Sequence, residues 1–269
     1  MISVIIPTYK NPEYLDICLS SCISGSKLDT TRIIVVVDGY IELSQKILDT
    51  YNESISVLDL DVNRGMDAAI NLGVWNCDSD KVFVVNDDQI FADGWDIELD
   101  ALDVDSTVYT IEQIERNAGI FNFHVANFGD TVDTFDMEKF NEYVNTHSSN
   151  KQTDSARIFP FLLSKRWFMT VGGFENYNSP FWTDVDFFLK LELAGLTFKR
   201  IYHTMLFHWG STATKNRKDS ESVGFQDGES RAAEQFFYKW GYLPQIGGQN
   251  TVNTKYPTHN KTIKGIVYE

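Results

Sequence analysis

Ser3-Val4-Ile5-Ile6-Pro7-Thr8-Tyr9-Lys10-Asn11-Pro12 contains a whole strand-to-helix transition. Val4 to Ile6 is a short, wholly apolar run that stops at Pro7. Beyond Asn11-Pro12, the residues Leu15, Cys18, Leu19, Cys22 and Ile23 recur at helical spacing. This predicts a strand, a loop, and a helix with Asn11 as N-cap and Pro12 at its first position. A strand with no polar side belongs inside a sheet covered on both faces, which is the setting of parallel strands.

The next stretch repeats the plan. Ile33 to Val37 is a β-branched run ending at Asp38-Gly39, followed by a helical stripe of Ile47, Leu48 and Tyr51. Ile55 to Leu60 reads as a third strand, Asp67 to Trp75 as a helix, and Val82 to Val85 as a fourth strand ending at Asn86-Asp87-Asp88. Each polar cluster sits at the carboxyl end of a strand. In an open α/β sheet ligands bind at that edge, where loops and helix N-termini converge.

From about Asp96 to Arg157 the patterning weakens, and the polar stretch Asn145 to Ser155 suggests a long loop; we expect an acceptor-side insertion there. Order resumes at Ile158 to Leu163, at Gly172-Gly173-Phe174, in a helix starting near Thr183, and in a strand from Phe198 to Trp209. Lys215 to Gly228 is expected to be a mobile polar loop. Ala233, Phe236, Phe237 and Trp240 then form a helical stripe ended by Gly241 and Pro244. The expected organisation is one continuous domain, with residues 1–100 as a nucleotide-binding half, 101–214 as an acceptor-side half, and 215–269 as loop, C-terminal helix and tail.

A chain of 269 residues that is 43% hydrophobic can bury a full core. Its formal charge of −15 repels a phosphate backbone and an anionic membrane alike, which argues against nucleic acid as a partner. Cys18, Cys22 and Cys77 show no ligand-pair spacing, so buried thiols in a reducing compartment are expected. The start lacks the basic region and long apolar run of a signal peptide, and no apolar stretch approaches the roughly 18 residues that span a bilayer. A cytoplasmic location is the expectation.

Three clusters can carry chemistry. Asp87 and Asp88 follow an apolar strand directly, as hard-cation ligands do at a phosphate site, although a polar strand-to-loop turn explains them equally well. Thr183-Asp184-Val185-Asp186 opens a helix. There Thr183 and Asp186 have capping-box spacing, which leaves Asp184 available as a proton acceptor. His208, before Trp209 and Gly210, is either a metal ligand or a hydrogen-bonded structural imidazole.

The order of these clusters is more specific than any one of them. Residues 3–11, Val35-Val36-Val37-Asp38-Gly39, Asn63-Arg64-Gly65, Asn71-Leu72-Gly73 and Asn86-Asp87-Asp88 resemble the donor half of family 2 glycosyltransferases of the GT-A fold. Gly172-Gly173-Phe174-Glu175, Asp184-Val185-Asp186, Gly195, His208 and Lys239-Trp240-Gly241 resemble the acceptor half, in the same order.

The resemblance implies an α/β, Rossmann-like GT-A fold: a mostly parallel central sheet flanked by helices, with an acceptor-side extension and a C-terminal helix. It implies an inverting, non-processive transfer of a hexose-type sugar from a UDP- or dTDP-sugar to a hydroxyl of a glycan, lipid-linked or protein acceptor, as in polysaccharide biosynthesis. Donor contacts fall on Pro7, Thr8, Tyr9, Asp38, Arg64, Asn71 and Asp87. Asp88 and His208 would hold Mn2+ or Mg2+, Asp184 would be the catalytic base, and Trp182 and Asp186 would touch the acceptor. Two departures stand out: Thr183 replaces the usual Glu before the base, and Asn86 replaces an Asp, as in the rhamnosyltransferase-like branch.

Two competing functions share the fold or the ligand. A sugar nucleotidyltransferase should carry a Gly-rich basic loop after the first strand, yet Pro7 to Asn11 has no glycine. A non-catalytic nucleotide-sugar-binding relative would keep the donor contacts without turnover. Processive synthases usually carry Gln-x-x-Arg-Trp, and here Leu163 stands in the Gln position before Arg166-Trp167.

Overall fold

The computed structural model describes residues 1–117, 123–154, 157–177, 182–210 and 225–241, with the side chains of the last segment described from residue 231. In chain order the elements are β1 (Ile2–Thr8), α1 (Pro12–Gly25), β2 (Arg32–Val37), α2 (Gln45–Thr50), β3 (Ile55–Asp59), α3 (Met66–Asn76) and β4 (Lys81–Val84). They continue with β5 (Gln89–Phe91), α4 (Trp95–Ala101), β6 (Thr107–Glu115), β7 (His124–Val125), α5 (Met137–His147), β8 (Gln152–Asp154) and β9 (Phe161–Ser164). The last four are α6 (Lys165–Thr170), α7 (Thr183–Leu193), β10 (Thr197–His208) and α8 (Phe225–Trp240).

The strands form one sheet in the order β3-β2-β1-β4-β9-β6-β10-β5, with β7 added beside β6 and β8 beside β10. Strands β1 to β4 are mutually parallel, as are β6 and β10, while β9 runs antiparallel between β4 and β6. The sheet is therefore mixed, with a parallel majority. It separates two cores, because successive residues of a strand point to opposite faces. Val4, Ile6, Val35 and Val37 meet α1 and α4 through Leu15, Cys18, Cys22 and Trp95. Ile5, Ile34 and Val36 meet α3, α6 and α7 through Ile70, Val74, Phe168, Phe187 and Phe188. All three cysteines are buried free thiols in these cores.

Gly73 shows why a helix crosses the sheet so closely. A β-carbon at this position would lie 2.5 Å from Cγ2 of Ile5 and 3.0 Å from Cγ2 of Val36. The Asn71-Leu72-Gly73 motif is thus partly a packing device that seats α3 on β1 and β2.

The structure departs from the sequence-based expectation most between residues 96 and 157. That stretch contains β6, a nine-residue strand in the interior of the sheet, and α5, an eleven-residue helix. β6 escapes the period-two pattern because Thr110, Glu112 and Gln113 are buried polar residues with partners inside the sheet: Arg200 stands 3.5 Å from Glu112, and Gln89 donates to Gln113. Helix α8 begins at Phe225, within the stretch expected to be loop, whereas residues 211–224 and 242–269, including Pro244, lie outside the described residues. Among the described residues no helix is long and apolar enough to cross a membrane.

Candidate active site at the carboxyl edge of the sheet

Four parallel strands deliver their carboxyl ends to one edge. Thr8, at the end of β1, donates its hydroxyl to Oδ2 of Asp87 (2.7 Å), and Nδ2 of Asn11 donates to Oδ1 (3.0 Å). Asn11 does occupy the N-cap position of α1 before Pro12, but its side chain makes no capping bond and serves Asp87 instead. Burial and the adjacent charge of Asp88 push Asp87 up to about 7, against the pull of those two hydrogen bonds.

Asp38, at the end of β2, accepts the backbone N–H of Arg64 at 2.6 Å and of Gly65 at 3.0 Å. The carboxylate expected to meet the nucleoside therefore also shapes the loop that leads into α3. Arg64 itself is exposed. Tyr9 and Tyr40 stand edge to face at 6.0 Å, and Nζ of Lys10 lies 3.8 Å from the centre of the Tyr40 ring. Lys10 and Tyr40 both hold left-handed backbone, at φ 50° and 61°, a strained state that typically costs 1–3 kcal/mol per residue and clusters at ligand-binding loops.

Strand register explains the meeting of Asp88 with His208. β5 runs antiparallel to β10 and pairs Gln89 with His208, so the residue before Gln89 lies at the end of β10. On the other flank β6 runs parallel to β10 and pairs Glu115 with His208. Nε2 of His208 consequently stands 3.5 Å from Oδ1 of Asp88, and Nδ1 stands 3.0 Å from Oε1 of Glu115. Burial disfavours the imidazolium, but Asp88 and Glu115 outweigh it and push His208 up to about 9. The turn before β5 is fixed by Gln89, which accepts the N–H of Asn86 at 3.1 Å and donates to Gln113 at 2.9 Å. Gln113 in turn donates to the carbonyl of Phe159 at 2.8 Å.

Asp88 and His208 fit a divalent cation. Two neighbouring donors on an octahedral ion with bonds of about 2.1 Å lie about 3 Å apart, so a short approach from the observed 3.5 Å would let both reach one ion. Among the described residues no three His, Cys, Asp or Glu side chains form a ligand cluster, so such an ion would take its other ligands from water and phosphate.

Asp184 sits in the first turn of α7, half-buried, with Oδ1 accepting the N–H of Val185 at 2.8 Å. One turn on, Phe187 packs at 5.7 Å from Phe161, the β9 residue paired with Val84 near the carboxyl end of β4. The start of α7 is thereby held at the edge that bears Asp87 and Asp88. Burial pushes Asp184 up to about 6.

Other candidates make contacts within the framework. Asn71 bonds both ways to the backbone of Phe174, donating to its carbonyl and accepting its N–H, each at 2.8 Å. Trp182 is 3% exposed and packs on Phe236, and Phe181 lies outside the described residues. Asp186 is completely buried, receiving Tyr177 at 3.1 Å, Trp240 at 2.7 Å and Lys239 at 2.7 Å on Oδ1. Trp182 and Asp186, the two residues expected at the acceptor, are thus both enclosed by packing in this structure. Thr183 does not form a capping box either: its hydroxyl donates to the carbonyl of Glu175 at 2.9 Å.

Asn11, Gln89, Gln113 and Glu115 were absent from the sequence-based site. Only the polar Gln-x-Glu at the end of a β-branched run, Thr107 to Glu115, offered a signal.

Comparison with known proteins bears on the fold and on its first 100 residues. Residues 3–100 match the family described as Glycosyl transferase family 2. No curated protein matches the sequence significantly. Among solved structures, S. aureus TarS 1-349 aligns at TM-score 0.55 and 15% identity, over 89% of this chain and 72% of that one. The same protein in complex with UDP-GlcNAc aligns at TM-score 0.59 and 15% identity, over 88% and 66%. Against a longer S. aureus TarS structure the TM-score is 0.57 at 14% identity, and the match covers 89% of this chain but 44% of that one. Identity at this level speaks for the fold alone. The segment that carries Asp38, Asp87 and Asp88 thus matches glycosyltransferase family 2 in sequence, and the sheet and its edge are of the GT-A type.

Proposed function

We propose that the chain transfers a sugar from a nucleoside-diphosphate donor to an acceptor hydroxyl, with inversion, non-processively, and with a divalent cation, Mn2+ or Mg2+, that Asp88 and His208 would hold. The single observation that carries this reading is the 3.5 Å approach of Asp88 to His208, two residues far apart in sequence, beside the buried Asp87. A strongly acidic chain needs a cation to hold an anionic leaving group at that corner.

Thr8, Tyr9, Asp38 and Arg64 face the nucleoside end in this reading, and Asp87 takes the ribose or a water on the cation. Asp184 accepts the proton of the acceptor hydroxyl as its oxygen bonds to the anomeric carbon. The bond from that carbon to the diphosphate breaks, and its electron pair leaves with the phosphate. A bound cation supplies Lewis-acid neutralisation of that leaving group, typically several kcal/mol of barrier. UDP is the first nucleotide to test because similar structures are described in complex with UDP and with UDP-GlcNAc; dTDP is the second.

Thermal unfolding with UDP, dTDP and GDP, each with and without Mn2+, tests the reading. A ligand at 100 times its Kd stabilises by about 2.7 kcal/mol, on the order of 5–10 °C here. One nucleotide should shift the transition only with Mn2+, and Asp88→Asn should abolish the metal-dependent part. An unchanged shift in that variant refutes the cation site.

A further inference from the structure

His208 is gripped from two strands at once. Asp88, from the turn before β5, faces Nε2, while Glu115, the last residue of β6, faces Nδ1. The two distances differ in kind. At 3.0 Å the Nδ1 contact is an ordinary hydrogen bond, whereas the 3.5 Å at Nε2 is long for one, so Asp88 does not engage that nitrogen as closely as Glu115 engages the other. Arg116, next along the chain, turns elsewhere: its guanidinium stacks 5.1 Å from the Trp209 ring and donates to the carbonyl of Asp130. Among the described residues no Lys or Arg is ion-paired with Glu115, so its carboxylate is directed at the imidazole.

A histidine can offer a cation only a nitrogen that carries no proton, and the proton on the other nitrogen then needs an acceptor. We propose that Glu115 is a positioning residue, which accepts the Nδ1–H of His208 and so fixes the tautomer and ring plane that present Nε2 beside Asp88. The inference rests on the cation reading above. It assigns Glu115 no contact with substrate. Its effect passes wholly through His208.

Mn2+ titrations followed by electron paramagnetic resonance, on the full chain with saturating UDP, test it. Glu115→Leu and Glu115→Ala should each weaken Mn2+ binding about 10- to 100-fold, and Glu115→Gln, which keeps an oxygen acceptor, by less than about tenfold. Ala serves if Leu does not fold. In a His208→Ala background, Glu115→Ala should cause no further loss, because the group it positions is gone. Native affinity in both Leu and Ala variants, or an equal loss with and without His208, overturns the assignment. Failure of the native chain to bind Mn2+ with UDP overturns the cation reading and this inference together, and shows before any Glu115 substitution is made.

Discussion

Asp184 offers a quantitative test of the proposed base. Burial raises its carboxyl from an ordinary 3.8 to about 6. A general base works only when deprotonated, so kcat/KM should rise with pH through that value and level off above it. With a pKa of about 6 the ionised fraction is roughly one tenth at pH 5 and nine tenths at pH 7, which predicts a rise of about tenfold over that interval. An unperturbed aspartate would be about nine tenths ionised already at pH 5, and the same profile would be nearly flat. The assay is nucleoside-diphosphate release at subsaturating donor and acceptor, with Mn2+ saturating and Mn2+–UDP binding measured at each pH so that changes in binding are divided out. Asp184→Asn should lower the rate about 10²- to 10⁴-fold and remove the rising limb. A flat native profile between pH 5 and 7 refutes the buried-base argument, and full activity in the Asn variant refutes the base itself.

Two further substitutions probe the donor-side framework. Asp67, 5% exposed in the first turn of α3, has its carboxyl raised by burial from 3.8 to about 6. Its folded pKa exceeds the unfolded one, so this residue costs nothing below pH 4 and destabilises progressively as pH rises to 6 and beyond. Asp67→Asn should therefore raise Tm by several degrees at pH 8, an upper bound of about 3 kcal/mol, with the gain vanishing at pH 4; a gain independent of pH would contradict the assignment. Gly73→Ala should destabilise by about 1–3 kcal/mol in denaturant unfolding, because its new β-carbon collides with Ile5 and Val36. The sign is diagnostic, since the same change in an uncrowded helix interior stabilises by about 1 kcal/mol.

The first 100 residues were legible because their elements obey one rule each. Val4 to Ile6 and Ile33 to Val37 are apolar on both sides because both sides are covered, and their polar followers, Thr8 and Asp38, fall at the carboxyl edge by construction. β6 was illegible because its interior polar residues are satisfied by partners remote in sequence: Glu112 meets Arg200, and Gln113 bridges Gln89 and Phe159. Nothing local marks a strand whose alternation is broken by contacts that exist only after the sheet closes. Glu115 is the extreme case. Its relation to His208 is created by the β6–β10 register, and no spacing in the sequence encodes that register.

The two carboxylates of Asp184-Val185-Asp186 show the same division within a single turn of helix. Asp186 points into the interface between α7 and α8, where Tyr177, Lys239 and Trp240 converge on one of its oxygens and Lys190 approaches the other at 3.4 Å. Asp184 lies two positions away, about 200° around a helix of 3.6 residues per turn, and so faces away from that interface. Its bonded oxygen takes the N–H of Val185 within the same turn, and burial rather than a cation sets its acidity. A hydroxyl approaching the edge can reach the half-buried carboxylate and not the enclosed one. An Asp-x-Asp pair in sequence thus separates into a residue that ties α8 to the domain and the residue proposed as the base, and the helical period sets the two on different faces.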